Sequence, residues 1–157
     1  MSLLSILFWI HLIGVSIWVG ASFLMPLVII PAMQSVDPPA RMKAMAAISQ
    51  KLTPFVTLSI VLVFASGVWQ TIILYGGFGV FMAVNPLTIK VWVAVLMMAN
   101  GFYLGIVLTR KVGALAPAPG TPPSPEFLKA QRLLGMHSWI QAGMAVVVLL
   151  LAGILAS

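Results

Sequence analysis

Residues 3–31 read LLSILFWIHLIGVSIWVGASFLMPLVIIP, an apolar run broken by a single histidine and a few small residues, with no Asp, Glu, Lys or Arg in it. About 20 such residues cross the hydrocarbon of a bilayer, and in lipid the backbone can bond only to itself, so the run reads as a membrane-spanning helix. No positive n-region precedes it, and it continues past signal-peptide length to about Ile30. It is therefore expected to stay in the mature protein. Pro26 and Pro31 predict a kink near its far end and a departure into the interface.

Three further apolar stretches follow, at about 54–75, 87–109 and 133–156, and the fold class expected is an all-α integral membrane four-helix bundle in a single domain spanning 1–157. Thr53 before Pro54 reads as a cap followed by a proline at the first helical position, and Asn85-Pro86 opens the third helix in the same way. Ser124-Pro125-Glu126 repeats the signal, so the fourth helix is expected over 125–156, starting about two turns before the membrane. The loops are then about 32–53 and 110–124. Within the first, residues 40–52 are mildly amphipathic and are expected to lie along the membrane surface. The proline-rich stretch 117–125 reads as an extended linker.

Composition agrees with this placement: 62% of the 157 residues are hydrophobic and 6% charged, where a soluble domain has roughly a quarter charged. The net charge of +6 would suggest nucleic acid in a soluble protein. Here seven of the eight Lys and Arg residues lie in or beside the two loops just named, Arg41, Lys43 and Lys51 in the first, Arg110 and Lys111 in the second, and Lys129 and Arg132 in the helical turns that follow it before the membrane, and no nucleic-acid partner is expected. The positive-inside bias makes both loops cytoplasmic and both termini external, a multi-pass protein of the cell (inner) membrane with the lipid bilayer as its first partner. The absence of cysteine removes disulfides, thiolate zinc sites and iron–sulfur clusters. The only acids are Asp37, in the first charged loop, and Glu126, at the start of the fourth helix before the membrane, which disfavours hydrolytic and phosphoryl chemistry.

Ionisable residues within a membrane are functional candidates by default, and there are three: His11, Lys90 and His137. Counting from residue 3, His11 lies roughly 12 Å into the membrane. Lys90 is about one turn from the same side, and His137 about one turn from the opposite side. The two histidines are then separated by something like 12 Å along the normal, which argues against one haem held between them. Either a haem uses His11 with Lys90 or another partner, or each histidine serves its own site.

On the first helix, His11, Gly14, Val15, Trp18, Ser22 and Met25 share a face. Gly14 and Ser22 are small enough to leave space for a flat group beside the imidazole, a geometry that suits a porphyrin; the competing reading is close helix packing. Lys90 either snorkels to the headgroups, ligates, or pairs with a haem propionate. His137 with Gln141 and Met144 reads as a weaker polar stripe, more structural than ligating, and Asn100 with Gly101 and Gly105 as interhelical contact. The ten methionines raise Cu(I), although their scatter fits gap filling better.

The motif His11-Leu-Ile-Gly-Val-Ser-Ile-Trp18-Val-Gly20, followed by Phe23 and Pro26, resembles the first helix of CopD-like membrane proteins and of the related HemJ-type protoporphyrinogen oxidases. The stretches from Leu52-Thr-Pro54 to Gly67-Val-Trp69, and Leu87-Thr-Ile-Lys90, are similar to the second and third helices of that group. The resemblance implies a four-helix core and a haem b whose site includes His11 and Lys90. On helix four the HemJ signature Arg-x-x-Asn-Glu-x-Pro would fall near Arg132–His137, and its Asn-Glu pair and proline are not there. The expected function is a haem b membrane protein doing redox work, either electron transfer with a redox partner protein or oxidation of a small substrate, in which case it is a haem-dependent membrane oxidoreductase. Cofactor contacts are expected from His11, Lys90, Trp18 and Gly14, and metal ligation from His11 and, more weakly, His137. The alternatives are a CopD-like copper permease, with His11, Met25, Met97 and His137 as stations, and a non-catalytic subunit of a membrane complex. The Gly-rich helix faces would permit a homo-oligomer.

Overall fold

The computed structural model describes residues 2–118 and 120–156; Pro119, within the proline-rich linker, lies outside the described residues. Four long helices account for most of the chain: α1 (Leu3–Ser35), α2 (Pro38–Tyr75), α3 (Pro86–Ala114) and α4 (Pro125–Ala156). Each is long and apolar enough to cross a membrane, and there is no strand among the described residues. The protein is an all-α, multi-pass membrane bundle.

Two antiparallel hairpins build it. α1 lies along α2, α3 lies along α4, and the hairpins meet chiefly where α1 passes α4. The start of α1, the end of α4 and the 76–85 loop share one end of the bundle, called the terminal end. The basic residues of the α1–α2 and α3–α4 connections mark the other, charged end. At the centre, Trp18, Ile60, Val63, Met97 and Ala145 close a core drawn from all four helices. Trp18 also meets the Phe64 ring at a centroid distance of 6.1 Å. Large apolar side chains elsewhere face outward, among them Phe8, Trp9, Phe55, Trp92 and Leu150, as expected where the solvent is hydrocarbon.

Helix starts at Asn85 and Ser124 form as the sequence predicts. Asn85 Oδ1 accepts from the Thr88 N–H at 2.9 Å, and Ser124 Oγ accepts from the Phe127 N–H at 3.2 Å. Tyr75 is followed by Gly76 at φ +69° and Gly77 at φ +135°, left-handed conformations that glycine adopts without Cβ strain and that end α2 sharply. The linker before α4 is less extended than its prolines suggest, because the Thr121 N–H turns back to the Ala118 carbonyl.

The second helix corrects the sequence reading. It does not begin at Pro54 but at Pro38, and residues 40–52, expected as a separate surface segment, are the first turns of the same 38-residue helix. The loop predicted at 32–53 therefore shrinks to residues 36–37. Thr53 does not cap; its hydroxyl donates back to the Ser49 carbonyl at 2.7 Å. A proline withdraws one N–H from a helix, a local penalty, and the helical turns on both sides of Pro54 outweigh it. Pro26 is absorbed differently: residues Met25–Ile29 form a wide π turn, with the Ile30 N–H bonded to the Met25 carbonyl, and α1 continues beyond it to Ser35. A second wide turn, Tyr103–Leu108, interrupts α3; no proline announces it.

The α1–α2 hairpin packs tightly at Gly14. A Cβ there would lie 2.9 Å from Val63 Cγ2 and 3.0 Å from the Ser59 carbonyl oxygen, whereas one at Gly20 would meet nothing within 4 Å. Gly14→Ala is expected to lower thermal stability in detergent by about 1–3 kcal/mol, and Gly20→Ala to leave it unchanged or slightly raised. Equal melting of the two variants would show that the helices do not approach closely at Gly14.

Candidate functional site

The Gly14 contact sets the neighbourhood of His11, one turn nearer the terminal end. Across from it α2 presents Val63, Ser66, Gly67 and Gln70, residues spaced by three and four and so on one face. His11 Nδ1 lies 3.0 Å from the Val63 carbonyl oxygen and 3.0 Å from Ser66 Oγ. A carbonyl oxygen only accepts, so Nδ1 carries the proton. Ser66 adds a second acceptor, since its own hydroxyl hydrogen is directed back to the helix carbonyls of Leu62 and Val63. Gly67 supplies the floor: a Cβ there would lie 3.4 Å from His11 Cε1. Gln70 donates to the Leu7 carbonyl at 3.2 Å, tying α2 to α1 one turn further out.

With Nδ1 protonated, Nε2 of the neutral ring keeps its lone pair, and it has no hydrogen-bond partner among the described residues. Lys90, in the second turn of α3, is half-buried and close enough for its charge to act on His11. The structure thus brings His11 and Lys90, two of the residues singled out in the sequence, into one region near the terminal end.

It does not bring the others there. The space read beside Gly14 is filled by the α2 backbone and Val63, so the small residue brings two helices together and leaves no slot. Trp18 is 4% exposed and belongs to the central core. The Ser22 hydroxyl is spent on the Trp18 carbonyl at 2.9 Å.

His137 has its own setting at the α3–α4 interface. Asn100 Nδ2 donates to Gln141 Oε1 at 2.8 Å and to the His137 carbonyl at 3.1 Å, which fixes the amide so that its oxygen meets His137 Nδ1 at 2.6 Å. The Tyr103 ring, at the first position of the wide turn, lies 5.0 Å from the imidazole, centroid to centroid. One asparagine thus joins three groups of α4, the interhelical role its sequence context suggests.

Trp18 and Ala145 lie in the same core. His11 is seven residues from Trp18 toward the terminal end and His137 eight from Ala145 toward the charged end, so the histidines are about 20 Å apart along the bundle. That exceeds the sequence-based 12 Å, and one cofactor cannot be held by both rings of a single chain. Among the described residues no group of three or more His, Cys, Asp or Glu side chains is placed to hold a metal ion. His11 and His137 each stand as a single imidazole.

Ser66, Gly67, Gln70 and the Val63 carbonyl are the contributors that the search for ionisable residues misses. The signal for the side chains was present as a polar stripe, Ser59, Ser66 and Gln70, along an otherwise apolar helix. The carbonyl has no signal, because any residue supplies one. Comparison of the chain with protein-family models, with curated proteins and with solved structures finds no match.

Replacing Asn100 by Leu removes all three contacts and strands the His137 N–H and the Gln141 oxygen at a half-buried interface. A loss of about 1–3 kcal/mol in detergent is expected, larger than for His137→Ala, which removes only the ring contact. Thermal melts of the two variants give the order; the reverse order would remove Asn100 from the centre of this network.

Proposed function

We propose that this chain is a haem b-binding membrane protein with a redox role, in which His11 Nε2 is the axial ligand. One observation carries the reading: the ring is anchored through its Nδ1–H to a backbone carbonyl and a serine, which leaves Nε2 as a free donor aimed away from its supports. Ligating histidines are held in this way, and the bond to the distal nitrogen raises the basicity of the ligating one. Lys90 supports it as the nearby cation, either a second ligand or a partner for a propionate. Haem bound there would supply one-electron chemistry; the chain supplies the imidazole, its orientation and a cation. The similarity of His11–Gly20 and Leu87–Lys90 to HemJ-type and CopD-like proteins points the same way, while helix four, without the Asn-Glu pair, favours a relative doing electron transfer or oxidising a different small substrate.

A copper permease draws less support. Met97, needed as a station across the bilayer, is 1% exposed inside the central core, where Trp18 and Ala145 close around it.

We also read the charged end as cytoplasmic, which places the His11 region in the outer half of an inner membrane. Its support is the seven basic side chains at that end. The cysteine-free sequence makes this simple to check. A single cysteine at Gly79 should react with a membrane-impermeant maleimide in intact cells, and one at Thr121 only after lysis. The opposite pattern reverses the orientation.

For the cofactor, the detergent-purified protein expressed with ample haem should show a Soret band and reduced b-type bands at near one haem per chain. His11→Ala should lose them while still purifying as a folded species, and His137→Ala should keep the spectrum nearly unchanged. A colourless wild-type protein, or full occupancy in His11→Ala, would overturn the assignment.

A further inference from the structure

The wide turn in α1 does more than accommodate Pro26. In a regular helix residues five apart point in different directions, but the turn closed by the Ile30 N–H on the Met25 carbonyl brings residues five apart back toward one face. Leu24 and Ile29 accordingly form one wall of a groove, and α2 forms the other with Ala47, Ile48, Leu52 and Phe55. The groove encloses about 490 Å³ and is open along one side. From Ala47 to Phe55 it runs about 12 Å along α2.

Its only charged lining residue is Lys51, at the position where α2 passes from its polar first turns to the apolar run beginning at Leu52. Lys51 is exposed, and its ammonium has no ion pair among the described residues. Neither acid is near it in sequence: Asp37 lies at the start of α2, about 20 Å away along the helix, and Glu126 opens α4. A cation without an ion pair among the described residues therefore stands part-way along an apolar trough, with Leu52 and Phe55 continuing on its membrane side.

We propose that this groove binds an anionic phospholipid of the surrounding leaflet, its phosphate on Lys51 and one acyl chain along Leu52 and Phe55 against Leu24. The charge selects the headgroup and the trough selects a chain, so a neutral phospholipid satisfies one half of the site and a soluble anion the other. The proposal is independent of any cofactor at His11.

Native mass spectrometry of the full chain in detergent, titrated with phosphatidylglycerol and separately with phosphatidylcholine, tests it. The wild-type protein should retain one phosphatidylglycerol in preference to phosphatidylcholine. Lys51→Gln should weaken that binding about fivefold, and Leu52→Trp, which fills the chain's path in the trough and leaves the charge, should weaken both lipids. Lys43→Gln, on the same helix but off the groove, should change neither. Equal retention of the two lipids, equal losses from Lys43→Gln and Lys51→Gln, or undiminished binding in Leu52→Trp would each overturn the proposal.

Discussion

The contact of Gly14 with the α2 backbone is the constraint from which the rest of the terminal half follows. Two helices in lipid gain nothing from burying apolar surface against each other, because the lipid is equally apolar; they associate through close packing and polar contacts. The missing side chain at Gly14 allows the Ser59 carbonyl and Val63 to come within van der Waals distance of α1. Only at that separation can an imidazole one turn away reach a helix carbonyl at 3.0 Å. The orientation of His11 is thus a consequence of a glycine that carries no side chain.

This contact also explains which parts of the site can be read from sequence. Four spans follow from apolar length alone, and His11 and Lys90 stand out because charge is costly in hydrocarbon. Gly14 was legible as a small residue on the His11 face, but its role was not, since a gap for a ligand and a gap for a helix look alike until the partner helix is placed. The acceptor for His11 was invisible for a different reason: it is a backbone carbonyl 52 residues away, and the pairing of α1 with α2 decides which carbonyl that is. His137 is similar. Its stripe with Gln141 could be seen, but the amide that binds both lies on another helix.

The local errors share one cause. Proline rules are derived where water can take over a freed carbonyl, and they predicted a helix start at Pro54 and a departure after Pro26. In a bundle of this kind leaving the helix would expose several backbone groups, so the chain keeps the helix and alters it. Thr53 returns its hydroxyl to the turn at Pro54, and α1 widens by one residue at Pro26. Helices continued past their prolines carry basic residues out of the apolar region on a rigid rod, which is how Lys51 comes to stand beside α1 instead of on a mobile loop.

The two polar networks divide the work of the bundle unequally. At the α3–α4 interface the Asn100 amide is used on both its atoms, and its partners all belong to one helix, so the arrangement locks a hairpin. At the α1–α2 interface the polar groups converge on one ring, holding its Nδ1 side and leaving the other nitrogen and Lys90 without a hydrogen-bond partner among the described residues. Orienting a titratable ring inside a membrane while leaving its lone pair unused brings no packing benefit that an asparagine would not supply. Both histidines are held through Nδ1, His11 by a backbone carbonyl and a serine and His137 by an asparagine that also binds Gln141, so the two rings differ in what holds them.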